Sequence, residues 1–276
     1  MNSGTVLLSI FGTINEHKMK LLFLLFSLIL SLQMTAQPMI IAHRGASYLA
    51  PENTVAAANL AWKLGADAVE VDIHLSKDNR VMVIHDKDTK KTCAGKRNFK
   101  IKNTPSVLLR ELDAGSRKDE KFKGEKIPFL SEILETVPQG KKIVVEIKCG
   151  SEVLPHLKRV MEKSDKLKQV VFIGFGWQTI LDTKKQFPDN PCYWLSAVKP
   201  GLKKKIQQAA ENNLDGVNLR YNIITEKVMK EAKANKLEVF TWTVDDPAEA
   251  KRLAELGVAG ITTNRPKWLK EQMQKL

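Results

Sequence analysis

From residue 39 onward, short apolar runs of β type alternate with segments whose apolar residues repeat at helical spacing. Runs at 39–42, 68–73, 142–147, 170–175, 192–197, 216–219, 238–244 and 259–263 each lead into a helical stretch or loop. Residues 80–84 pair back onto the second run across the turn-forming Lys77-Asp78-Asn79. Such alternation argues for a parallel sheet. About eight strand-helix units remain once 80–84 is treated as a hairpin arm, a count that favours a TIM-type (β/α)8 barrel over an open doubly wound sheet. No glycine-rich phosphate-binding fingerprint follows any run, which also counts against a dinucleotide-binding fold. The expectation is a single catalytic barrel domain over 37–276, with a small insertion after the second strand at 87–127, where Lys, Gly and Asp break the pattern. Asn53 is expected to cap a helix over 54–64, Asp246 to cap one over 247–256, and Pro266 to start the last.

Ahead of the barrel, residues 21–32 form an apolar and serine run preceded by Lys18 and Lys20 and followed by Gln33-Met34-Thr35-Ala36. The run is too short for the roughly 20 residues of a spanning helix and reads as a secretory signal peptide. Residues 1–36 are therefore expected to be a leader and signal peptide, cleaved after Ala36, of a periplasmic or secreted protein. An uncleaved N-terminal anchor is the alternative, because Met34 is larger than the residue favoured at that position, and Met19 competes with Met1 as the start. The chain carries 44 Lys+Arg against 31 Asp+Glu, a formal charge of +13. That balance suggests anionic partners such as phosphate esters or lipid head groups. The basic residues are spread out rather than gathered into a binding motif, so no nucleic-acid partner is expected. Cys93, Cys149 and Cys192 have no metal-ligand spacing and are expected to be inert, largely buried thiols.

Charge recurs where the apolar runs end. Glu70 and Asp72 lie two apart in the second run, so both side chains leave one face of the strand. Desolvating unpaired carboxylates costs several kcal/mol, and one divalent cation, Ca2+ or Mg2+, offsets that cost through oxygen ligands. Glu146 and Lys148 repeat the pattern in 142–148, offering a third acidic ligand and a cation for phosphate. His43 and His85 each terminate an apolar run, beside Arg44 and Asp86. Two imidazoles at the barrel mouth suit proton exchange near neutral pH, and the Arg44 guanidinium suits a phosphate. His74 is expected on the opposite face from Asp72, and His156 on a helix, both outside the site.

His43-Arg44-Gly45, Pro51-Glu52-Asn53-Thr54, Glu70-Val71-Asp72, His85-Asp86, Glu146-Ile147-Lys148, Thr241-Trp242-Thr243-Val244 and residues 257–266 occur in one order across nearly all of 39–270. The ordered set resembles the glycerophosphodiester phosphodiesterase family. The resemblance implies metal-dependent hydrolysis of small-molecule glycerophosphodiesters to glycerol 3-phosphate and an alcohol. It implies Glu70, Asp72 and Glu146 as metal ligands, His43 and His85 as the catalytic acid–base pair, and Arg44 and Lys148 on phosphate. It further implies that the substrate's own glycerol 2-hydroxyl attacks first, and that 87–127 covers the barrel mouth. Trp242, at a strand end near the mouth, is a candidate for packing against glyceryl. Two positions depart from the family pattern: Asn264 stands where Asp is usual, and Asp245 where Asn is frequent. The alternatives are a related phosphodiesterase acting on lysophospholipids or sphingomyelin, or a non-catalytic phosphodiester-binding protein. Membrane contact is compatible with the charge but not required, and oligomeric state has no signature in the sequence.

Overall fold

The computed structural model describes residues 37–275. Eight strands are parallel neighbours: β1 (Met39–Ala42), β2 (Ala68–Leu75), β4 (Lys142–Ile147), β5 (Val170–Gly174), β6 (Cys192–Ser196), β7 (Gly216–Arg220), β8 (Glu238–Trp242) and β9 (Gly260–Thr263). Pairing of β1 with both β9 and β2 closes them into a barrel. The short β3 (Val81–Val83) runs antiparallel on β2, as the Lys77-Asp78-Asn79 turn predicts. Asn79 takes a left-handed φ of 61° in that turn, a conformation Asn tolerates better than most residues.

Period-two alternation sorts each strand between two cores. Outward residues such as Val69, Val71, Ile143 and Val145 pack with the surrounding helices. Inward residues Ile41, Ala68, Val144, Val171, Tyr193 and Phe240 fill the barrel. A third cluster, with Met82, Ile84, Ile101, Leu109 and Ile127, ties residues 87–127 to the β3 arm. The insertion is thus held by its own apolar contacts rather than running as a loose loop.

Helix starts follow local chemistry. Asp246 accepts from the backbone of Ala248 and Glu249, and Pro266 begins the last helix, Pro266–Met273. The cap of Val55–Lys63 is Thr54, whose hydroxyl accepts from Ala57 N–H, and not Asn53 as expected. Asn53 is freed for another task, described below. The signal-peptide reading of 1–36 lies outside the described residues.

Candidate functional site

The inward register of the barrel turns from apolar to charged as the strands near their C-terminal ends. Two residues beyond Ile41, Ala68, Val144 and Phe240 on the same face stand His43, Glu70, Glu146 and Trp242. Asp72 and Lys148 come two further on, and Asp72 pairs in register with Glu146 across β2 and β4. The packed layer beneath therefore seals the floor of a polar mouth.

Carboxylate oxygens of Glu70, Asp72 and Glu146 all lie within 4.8 Å of one another. Glu70 and Asp72 are almost fully buried. Burial, then the neighbouring Asp72 and Glu146 charges, pushes Glu70 well above the usual carboxylate range. Burial and Asp72 push Glu146 up to about 7. Two cations face these three acids. Lys148 Nζ lies 2.8 Å from Glu146 Oε1 and 3.7 Å from Asp72 Oδ1, and Arg44 Nε lies 3.3 Å from Asp72 Oδ2. The Glu146 and Arg44 atoms are nevertheless buried without an aligned hydrogen bond. Among the described residues, Glu70 receives only the Arg44 backbone N–H, at 2.9 Å. Three crowded carboxylates, incompletely neutralised, fit one hard divalent cation held through oxygen.

Arg44 is aimed by its backbone. Its φ is +54°, and Gly45 follows at +80°, folding the chain back so that Ala46 N–H reaches Ala57 O. The guanidinium is then pinned by Glu52, whose Oε1 accepts from Nη1 at 3.0 Å.

Each imidazole is oriented through Nδ1. His43 Nδ1 meets Asn264 Oδ1 at 2.8 Å, while Asn264 Nδ2 donates to Asp245 Oδ2 at 2.6 Å and its N–H to Asp245 Oδ1 at 2.8 Å. With the amide fixed that way, His43 must carry its proton on Nδ1, leaving Nε2 as acceptor. Burial first, and Arg44 second, lower the His43 pKa, so the ring is neutral at neutral pH. His85 Nδ1 lies 2.6 Å from Asp86 Oδ1, and its Nε2 lies 3.1 Å from Lys148 Nζ. The structure thus brings His43, Arg44, Glu70, Asp72, His85, Glu146 and Lys148 to one mouth. Trp242 stands at its rim, its N–H donating to Asn218 O and its ring edge-on to Phe175 at 5.5 Å.

Two expectations need correction. His74 does not leave the Asp72 face: it is two residues further along the same strand, buried, with Nε2 3.1 Å from the His85 carbonyl. Asn53, at φ +60°, does not cap the helix but clasps Asp72, donating Nδ2–H to Oδ2 at 2.9 Å and accepting from Asp72 N–H at 3.1 Å. Asn264, Asp245 and Phe175 also belong to the site although sequence spacing did not assign them there.

A barrel whose mouth collects acids, imidazoles and phosphate-sized cations is an enzyme scaffold suited to anionic esters. Comparison with known proteins is more specific. The profile of the glycerophosphoryl diester phosphodiesterase family matches residues 43–268, and the chain belongs to that family. A glycerophosphodiester phosphodiesterase of Caldanaerobacter subterraneus subsp. tengcongensis is 33% identical over 242 residues, 86% of this chain and 98% of the relative. A phosphodiesterase of Oleispira antarctica, solved in complex with the product sn-glycerol-3-phosphate, matches with a TM-score of 0.80 at 26% identity, over 86% of this chain and 97% of that one. A Thermotoga maritima glycerophosphodiester phosphodiesterase, at 23% identity and a TM-score of 0.70 over 85% of this chain and 97% of its own, shares the fold.

Proposed function

We propose that this protein hydrolyses glycerophosphodiesters to glycerol 3-phosphate and an alcohol, using one divalent cation, Ca2+ or Mg2+, and two histidines. The observation that carries the reading is the convergence of Glu70, Asp72 and Glu146 within 4.8 Å, flanked by His85 through Lys148 and by His43, which feels the Asp72 charge. Glu70, Asp72 and Glu146 would hold the cation, which when bound supplies positive charge against the nonbridging phosphate oxygens. Arg44 and Lys148 supply further donors to those oxygens. His43, neutral and with Nε2 free, takes the proton from the attacking oxygen. His85, held at Nδ1 by Asp86, returns a proton to the departing alkoxide from Nε2, which for that step must carry a proton and face the ester in place of Lys148 Nζ. Over the full reaction one water adds across one P–O bond, and no other reactant is consumed. Family membership and the Oleispira antarctica product complex support the substrate class.

A coupled assay for released glycerol 3-phosphate, with and without chelator, tests the reading. Release that chelator abolishes and excess cation restores is expected, with none from Glu70→Ala. Binding without release would identify a silent phosphodiester-binding protein. Release from lysolipids alone would identify a lipid phosphodiesterase. We further propose export, supported by Lys18, Lys20 and the apolar run at 21–32. N-terminal sequencing of the exported chain should begin at Gln37.

A further inference from the structure

A cavity of about 650 Å3 opens beside the site, walled by the end of β2, the start of the insertion and the loop after β4. Lys77, Lys87, Lys100, Lys102 and Lys148 all line it, against only two carboxylates, Asp88 and Glu152. The five lysines come from three separate stretches of chain that the fold gathers into one concave wall. Lys77, Lys87, Lys100 and Lys102 are exposed, and none forms an ion pair with a described carboxylate. Gathering like charges costs energy, and a concave wall focuses their field on whatever enters.

The cavity adjoins the proposed phosphate position at Lys148, which lines its wall and lies 3.1 Å from His85 Nε2 and 2.8 Å from Glu146 Oε1. On its other side Lys148 approaches an aromatic corner. Its Nζ is 5.8 Å from the centre of the Phe175 ring, which meets Trp242 edge-on, and neither ring lines the cavity. A phosphodiester has two ester arms. The glyceryl arm is uncharged and suits the aromatic corner. The second arm is then left to the lysines, where a quaternary or primary amine would meet five like charges.

We infer that this cavity is the subsite for the departing alcohol, and that it selects alcohols which themselves carry a phosphate. The inference rests on the phosphodiesterase reading and names its substrate class. A volume of this size accommodates a whole phosphorylated polyol. Water adds across the bond between phosphorus and the departing oxygen, the proton goes to that oxygen, and the second phosphate is released unchanged on its alcohol.

The test compares kcat/KM for glycerophosphocholine, glycerophosphoglycerol, and glycerophosphoglycerol phosphorylated on its terminal hydroxyl. The wild type should favour the phosphorylated diester over glycerophosphoglycerol by about tenfold or more, mostly through KM, and the margin should shrink as salt rises to about 0.5 M. The variant Lys77→Ser/Lys87→Ser/Lys100→Ser/Lys102→Ser should lose that preference while keeping its rate on glycerophosphoglycerol, which also reports an intact fold. Equal rates on all three diesters, a preference for choline, or a preference that survives in the variant would overturn the inference alone. A wild type that cleaves no diester would overturn the phosphodiesterase reading, and this inference with it.

Discussion

Asn264 Oδ1 sits 2.8 Å from His43 Nδ1, across 221 residues of chain. Asn264 is itself bonded to Asp245 through both its side chain and its backbone N–H. Burial and then Arg44 lower the His43 pKa, and they outweigh the Asn264 hydrogen bond and the Asp72 and Glu52 charges, which raise it. Asn264→Asp alone should raise it, because a carboxylate favours imidazolium. A general base works deprotonated, so the acid limb of the kcat/KM profile should move to higher pH. The single variant also sets two carboxylates against each other and should melt lower. Asp245→Asn/Asn264→Asp should recover the melting temperature and keep the shifted limb. An unmoved limb in both variants would remove His43 from the base role.

Replacing His43 or His85 by Ala should each lower kcat by about 10²–10⁴, the range for loss of a positioned acid or base. Asp86→Ala should cost less, since it removes the orienting partner at 2.6 Å and leaves the imidazole. Steady-state assays at saturating cation make the comparison. A His85→Ala variant within about tenfold of wild type would exclude that ring from proton transfer.

Much of this arrangement was legible from the chain. Period-two spacing placed Glu70 with Asp72 and Glu146 with Lys148, and the strand-helix alternation placed both pairs in neighbouring barrel strands. The same period, applied to His74, puts it on the Asp72 face of the strand. The contact between His43 and Asn264 was hidden for a different reason. It exists only because β9 closes on β1, where His43 N–H donates to Thr263 O at 2.9 Å, and no local pattern reports on that closure. Asn53 misled because a residue before a helix ordinarily caps it, whereas its left-handed backbone turns the amide onto Asp72.

Gly45→Ala should damage both fold and site. At φ +80°, a Cβ would stand 2.6 Å from the Ala57 carbonyl carbon and 2.8 Å from its oxygen, backbone atoms with little freedom to yield. Strain at such positions is of order 1–3 kcal/mol, and here a clash is added. Gly65→Ala is the control, with φ +77° and nothing within 4 Å of the added Cβ. Chemical denaturation should show a larger loss for Gly45→Ala, accompanied by reduced kcat as Arg44 is displaced. Gly65→Ala should lose stability without losing kcat.

Stability of the cation-free protein should carry the signature of the crowded acids. Glu146 has an ordinary value of 4.5 and is raised to about 7 in the fold by burial and Asp72. Between those values the native state binds more protons than the unfolded chain, so this residue's contribution falls as pH rises and is flat above about 7. His43 and His74 act in the opposite sense. Their lowered values leave the unfolded chain with more bound protons, so their contribution rises with pH towards the ordinary value of 6.5. The Glu146 contribution is therefore read as the difference between wild type and Glu146→Gln, melted in chelator across pH 5 to 8. That difference should favour Glu146→Gln increasingly as pH rises. Adding Ca2+ or Mg2+ at about 100 times its Kd should raise the wild-type melting temperature at pH 8 by about 5–10 °C. It should leave a Glu70→Gln/Glu146→Gln double variant nearly unmoved. Equal shifts in both proteins would place the cation elsewhere than among these three carboxylates.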